Sequence, residues 1–226
     1  MQSKNIKDFL KDGQTIMISG IDSSYYPKKL INEIKESGVK DLTLIYIEDN
    51  SELDPAGDPM DLILNGQVRK LVTSHLGYLA KTFRNYLEEV ELVSMGSLAF
   101  RMQAGANNIP GIVLPLDLVK IYRSKEYLEE NSNLIIHHHD GDYIMEPALN
   151  ADISIVDADN FDPDSHNVSY NGTTYNGADV ARAGKICFVE YHQEKKIGYD
   201  DVDIPSAYVD GFVKSDFDHY TKTNWE

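Results

Sequence analysis

Two stretches of the chain bring reactive side chains together at short spacing. In the first, Ser19-Gly20-Ile21-Asp22-Ser23-Ser24-Tyr25-Tyr26-Pro27, hydroxyls, a carboxylate and a glycine lie between an apolar run and a proline. A loop of this kind leaves backbone N–H groups unpaired at the start of a helix, where the helix dipole also favours anionic ligands. The same residues also read as an ordinary strand-to-helix connection. The second stretch is His137-His138-His139-Asp140. On a strand His137 and His139 share a face, and a His-x-His pair can ligate zinc, but no third and fourth ligand follow at a recognisable spacing. It therefore reads as an exposed hairpin arm, and no metal site is expected. Asp157-Ala158-Asp159-Asn160-Phe161-Asp162-Pro163-Asp164 invites a calcium reading, yet Phe161 stands at the fifth position and Asp162 where the loop glycine belongs. That run is expected to be a solvated loop. Cys187, the single cysteine, sits in the apolar run Lys185-Ile186-Cys187-Phe188-Val189 and reads as a buried structural thiol. No nucleophile elbow, phosphate-binding Gly-Lys-Ser loop or dinucleotide glycine fingerprint is found.

The elements that must position the first loop are legible on either side of it. Thr15-Ile16-Met17-Ile18-Ser19-Gly20 is apolar without alternation, as expected of a parallel strand covered on both faces. Pro27 suits the first turn of a helix over 28–37, and Gly38 suits its C-cap. A second buried strand over 41–47 completes a β-loop-α-β unit. A short helix is expected over 6–10, further strands at 70–74, 90–93, 112–114, 153–156 and 185–189, and helices at 78–88, 96–105 and 177–183. Residues 134–146 read as a β-hairpin turning on Asp140-Gly141. The fold expected is an α/β domain spanning residues 1–226, with an open, mostly parallel sheet flanked by helices and a hairpin near 134–146. The loop after the first strand then lies at a strand's carboxyl end, where open α/β sheets bind ligands.

Composition narrows the function. Among 226 residues, 37 acids outnumber 21 bases, for a formal net charge of −16. Affinity for nucleic acid or an anionic membrane depends on Lys and Arg neutralising phosphates, so neither partner is expected. No apolar run is long enough to span a bilayer, and the amino-terminal residues lack the apolar core of a secretory signal. A cytoplasmic protein is expected.

At the first loop the chain resembles the α-type subunits of family I CoA-transferases. Asp12-Gly13, the apolar strand, Ser19-Gly20-Ile21 and then Pro27 follow that family's signature of Asp-Gly, strand, Gly-Gly-Phe, a loop with a further glycine, and proline. The resemblance continues in order through Ser37-Gly38-Val39-Lys40-Asp41, Asn65-Gly66-Gln67-Val68-Arg69, Gly96-Ser97-Leu98-Ala99, Arg101 to Ala106, Tyr143 to Asp152, and Ala181 to Glu190. It implies a ping-pong reaction in which a glutamate attacks an acyl-CoA thioester and becomes a glutamyl-CoA thioester before a carboxylic acid takes over the CoA. That glutamate belongs to a homologous β-type subunit, so no catalytic nucleophile is expected in this chain. The resemblance implies an α2β2 or larger heteromer, acyl-CoA and a small carboxylic acid as substrates, and no permanently bound cofactor. It assigns Ser19, Gly20, Ile21, Asp22, Ser23, Ser24 and Tyr25 to the CoA- and substrate-binding loop. Tyr26, Ile47, Glu48, Met95, Gly96, Gly105 and Ala106 fall to the substrate pocket.

Several of these positions depart from the family pattern. Ser19 and Ile21 stand in the Gly-Gly-Phe motif, Tyr25 replaces the later loop glycine, and Met95 replaces a glutamine. Ile47 and Glu48 fall where a polar pair is usual. A bulkier acyl group, or a divergent non-catalytic ligand-binding or structural subunit of the same fold, would fit these changes. A sugar-phosphate isomerase would need a loop rich in Ser, Thr, Gly and Lys, for which Ser23-Ser24 is a thin substitute.

Overall fold

The computed structural model of the chain describes residues 4–20, 26–47, 57–76, 85–172 and 176–217. Strands β1 (Thr15–Ile18), β2 (Leu42–Ile45), β3 (Val68–Thr73), β4 (Glu89–Leu92), β8 (Ala151–Phe161), β10 (Gly184–Glu194) and β11 (Gly211–Lys214) form one sheet. Their order is β11-β10-β8-β1-β2-β3-β4, and every pair in that row is parallel. The two-residue β9 (Val168–Ser169) pairs antiparallel with the end of β8. A parallel sheet must be covered on both faces, and strand alternation divides the core accordingly. Ile16 and Ile18 pack with Leu30, Ile31 and Ile34 of helix α1 (Lys28–Ser37) and with Met60 and Ile63 of α2 (Pro59–Leu64). Met17 and Ile45 face the other way, toward Leu98 and Met102 of α3 (Met95–Ala106) and Val180 of α6 (Gly177–Ala183).

Helix α1 covers the expected residues and ends at Gly38, whose φ of 71° closes the cap by donating its N–H to the Lys35 carbonyl at 3.2 Å. That left-handed conformation is costly for residues with a Cβ. The expected helix over 6–10 is a single 3-10 turn, Ile6–Asp8, capped by the Asn5 side chain. The expected helix over 78–88 lies mostly outside the described residues, and 85–88 enter β4 without helical structure.

Strand β5 (Gly111–Pro115) leaves the main sheet. It joins β7 (Gly141–Pro147) and β6 (Ile135–His138) in a small antiparallel sheet, with the short helices α4 (Leu116–Val119) and α5 (Lys125–Glu130) between β5 and β6. The hairpin is present, but its turn is one residue earlier than expected. His138 pairs with Gly141, which leaves His139-Asp140 as the loop. Gly141 instead opens β7 at a φ of 146°. The acid run is also not a solvated loop. Asp157 to Phe161 extend β8 alongside β10, and Asp157, Asn160 and Asp162 are buried. Asp162 accepts hydrogen bonds from the N–H groups of Asp164, Ser165 and Ile197, which is how a buried carboxylate is sustained.

A buried ionic cluster fixes the small sheet to the large one. Arg123 contacts Glu146 of β7 at 2.6 Å and Glu91 of β4 at 2.8 Å, while Arg101 of α3 contacts Glu91 at 2.8 Å. Arg101 also donates to the Pro147 carbonyl at 2.7 Å, and Arg123 stacks 4.3 Å from the Tyr127 ring. Burial alone would raise the Glu91 carboxyl, but hydrogen bonds and charge from the two arginines hold it at about 2. Its stabilising contribution is therefore complete above the ordinary value of 4.5 and lost as pH falls through about 2. Glu146 is fully buried. Removing Arg123 would leave that charge with only Arg101 at 3.5 Å and the Tyr127 hydroxyl at 3.2 Å, so Arg123→Met should destabilise the protein by about 3 kcal/mol in urea unfolding. A loss under about 1 kcal/mol would show that the cluster does not hold the two sheets together.

Candidate active site

The chain runs outward from β1 through β2 and β3 to β4, then crosses back to place β8 on the other side of β1. Between β1 and β8 the order of the strands reverses, and open α/β sheets bind ligands beyond the carboxyl ends of the strands at such a point. Ser19 straps the two strands where they part. Its N–H donates to the Ile155 carbonyl at 3.0 Å, and its hydroxyl accepts the Asp157 N–H at 3.1 Å.

Both ends of the loop that follows are pinned by side chains from the far half of the chain. At the entrance, the Gly20 N–H donates to Oδ1 of buried Asn176 at 3.2 Å, and the Asn176 amide lies 3.4 Å from the Met102 sulfur. At the exit, α1 has no capping side chain of its own. Glu190 of β10 supplies one, accepting the N–H groups of Lys29 at 2.8 Å and Leu30 at 3.2 Å. Its other oxygen accepts the Ser215 hydroxyl. Beside it, the Nε2 of His192 lies 2.8 Å from the Asp157 carboxylate. Burial lowers the affinity of His192 for a proton, but the Asp157 hydrogen bond and charge outweigh it and raise the imidazole.

The structure groups some of the residues assigned by resemblance and separates others. Ser19, Gly20, Met95 and Gly96 all lie along the carboxyl edge of the sheet. Met95 and Gly96 open α3 directly after β4, about 14 Å across from β1 at the usual strand spacing. Met95 is exposed, and a Cβ added at Gly96 would meet nothing within 4 Å, so this corner is open. Tyr26 is buried in the core, edge-on to Tyr46 with ring centroids 6.2 Å apart. Ile47 is also buried, and its carbonyl accepts the Ser74 N–H at 2.9 Å. Gly105 and Ala106 lie at the opposite end of α3. A Cβ at Gly105 would come within 1.9 Å of the Leu149 carbonyl oxygen, so this glycine serves close packing at the amino edge of the sheet. Ile21, Asp22, Ser23, Ser24, Tyr25 and Glu48 lie outside the described residues.

Asn176 and Glu190 were not singled out from sequence. Glu190 had a signal, being a carboxylate inside the apolar strand Cys187-Phe188-Val189-Glu190-Tyr191, where an unpaired charge would be costly. Asn176 had none, since an asparagine before a helix is a common cap. Cys187 is buried as expected, which pushes its thiol up to about 12.

An open parallel sheet with its switch point beside β1 and a small antiparallel sheet attached to it make an architecture shared with CoA-transferases of known structure. The chain belongs to the coenzyme A transferase family, matching it over residues 1–215. It is 33% identical to the acetoacetyl-CoA:acetate/butyrate CoA transferase alpha subunit of Clostridium acetobutylicum, with 83% of each chain covered. It is 30% identical to the acetate CoA-transferase subunit alpha of Escherichia coli K12, covering 95% of this chain and 96% of that one. The crystal structure of glutaconate coenzyme A-transferase from Acidaminococcus fermentans has the same fold, with a TM-score of 0.74 at 22% identity over 93% of this chain and 73% of that one.

Burial pushes the Glu190 carboxyl up to about 7, with the nearby Asp157 charge adding to the effect and the Ser215 hydroxyl and two amides opposing it. The stability linked to its proton is therefore complete below the ordinary value of 4.5 and lost as pH rises through about 7. Glu190→Gln keeps an acceptor but removes the titration. The melting temperature of the variant relative to the parent should rise between about pH 5 and about pH 8. A difference independent of pH would show that Glu190 is already ionised throughout that range.

Proposed function

We propose that this chain is the α-type subunit of a CoA-transferase that moves CoA from an acyl-CoA to a carboxylic acid in concert with a homologous β-type subunit. The observation that carries this reading is that relatives aligned along most of the chain are themselves α subunits of CoA-transferases. The carboxyl edge of the sheet at the switch point, with its rim formed by β8 and β10, is consistent with a nucleophile from outside the chain. Among the described residues at its rim, Asp157 is engaged by His192 and Glu190 by α1 and Ser215.

The partner's glutamate attacks the thioester carbonyl, the CoA thiolate leaves, and an acyl-glutamyl anhydride forms. The thiolate then attacks the glutamyl carbonyl and releases the first carboxylate, leaving glutamyl-CoA. An acceptor carboxylate reverses these two steps and departs as the new acyl-CoA. This chain supplies backbone donors to the negative charge that develops on the carbonyl oxygen from residues 21–25, the loop that Gly20 leads into. A preorganised donor of this kind contributes about 3 kcal/mol to transition-state stabilisation. Ser19 and Asn176 hold the entrance of that loop and Glu190 its exit. Glu48, Met95 and Gly96 border the acid, and exposed Met95 favours an acyl group with apolar surface. Tyr26, Ile47, Gly105 and Ala106 belong to the supporting frame. The working assembly is an α2β2 or larger heteromer in the cytoplasm, and no described helix is long and apolar enough to cross a membrane.

Mixing the purified chain with its β-type partner, an acyl-CoA and a panel of carboxylic acids should give CoA exchange only when both chains are present. Borohydride added before the acceptor should then inactivate the enzyme by reducing the partner's glutamyl thioester. No exchange with any acid would favour the non-catalytic subunit, a reading to which Ser19 and Met95 at family glycine and glutamine positions lend support. Within an active complex, Asn176→Ala releases the Gly20 amide. It should lower kcat on the order of tenfold, because small errors in donor placement are costly in the transition state. An unchanged kcat would show that the loop does not depend on Asn176.

A further inference from the structure

We propose that the tip of the β6–β7 hairpin is a binding site for a late first-row divalent cation, with His138, His139 and Asp140 as its ligands. One ring nitrogen from each histidine and one Asp140 oxygen all lie within 4.8 Å of one another. Among the described residues this is the one cluster of three such groups. Ligands on a four-coordinate cation with bonds of about 2.0–2.1 Å sit about 3.3 Å apart. Closing the set therefore requires the ligand atoms to draw together by an ångström or so, and all three side chains are exposed.

The backbone turns an unpromising sequence into a chelate. His138 is the last residue of β6 and pairs with Gly141, so His139 and Asp140 form the whole loop. Three consecutive residues thus converge around one tight turn. The rings of His138 and His139 are 4.1 Å apart, and the His138 Nδ1 already contacts the Asp140 carboxylate. Tyr143 supports the set from β7: its ring meets His138 edge-on at 6.3 Å, and its hydroxyl donates to the other Asp140 oxygen at 3.4 Å. Outer contacts of this kind orient ligands and raise affinity. His137, which sequence spacing paired with His139, is diverted to Asp142 across the strand pair at 2.8 Å. Two imidazoles and one carboxylate favour Zn(II), Ni(II) and Cu(II) over Mg(II) and Ca(II), and leave a coordination position for water or a group from another molecule.

Isothermal titration of the full chain with ZnCl2, NiCl2 and CuCl2 tests the assignment, with CaCl2 as the hard-cation control. One equivalent of each late metal should bind in the low-micromolar range and calcium should not. The Cu(II) complex should show superhyperfine coupling to two nitrogens in its electron paramagnetic resonance spectrum. His138→Ala and His139→Ala should each weaken binding at least about tenfold, and Asp140→Asn should weaken it as well. His137→Ala should leave it unchanged. Millimolar binding, binding insensitive to His138 and His139, or equal loss on removing His137 would each overturn the proposal. The variants lie on an exposed tip, and unchanged circular dichroism and melting would exclude misfolding as the cause of lost binding.

Discussion

The parallel pairing of β1 with β8 is the interaction on which the rest of the molecule depends. It joins Ile16, Met17 and Ile18 to Ile153, Ser154 and Ile155, segments separated by most of the chain. Closing so large a loop is entropically costly. The compensation is that both strands are buried on both faces, with Ile16, Ile18, Ile153 and Ile155 in one core layer and Met17 and Val156 in the other. Because β2 occupies the other edge of β1, the same pairing creates the switch point. Ser19, Gly20, Asn176, Asp157 and Glu190 meet there only because β8 and β10 are brought alongside the first strand.

Two kinds of charge are handled in opposite ways. Most of the excess negative charge lies on the surface, where water screens it. The buried charges are engaged by local partners. Glu91 and Glu146 share Arg101 and Arg123 between the two sheets, and Glu190 is met by two backbone amides and a hydroxyl at the carboxyl edge of the large sheet. A buried ion pair contributes little net stability against an apolar alternative, yet breaking one is severe.

On the proposed function, this arrangement gives the chain a defined share of a divided reaction. Its rim carboxylates are committed to structure, while the loop after β1 starts from an amide whose direction Asn176 fixes. A catalytic contribution made of oriented donors requires rigidity around the loop, and the two clamps come from elements that the loop itself does not contain. The departures at Ser19 and Met95 fall at that same edge, where Ser19 also ties β1 to β8 through its amide and hydroxyl.

By itself the sequence determined the local elements and the family. The unalternating apolar runs at β1 and β2 announce two-sided burial, Gly38 announces the end of α1, and the ordered motifs from Asp12 to Glu190 announce the CoA-transferase pattern, because all of these are properties of neighbouring residues. Tertiary structure alone decided the long-range contacts. It moved 112–114 into a second sheet, made Asp157 to Phe161 a buried strand end, sent Gly105 to the far edge of the sheet and drew Glu190 onto α1. It also decided the histidine pairing, since the register of β6 with β7 turns His137 toward Asp142 and gathers His138, His139 and Asp140 at the tip. In each case the deciding partner lies on another strand or helix, and spacing along one segment carries no record of which distant surface will cover it.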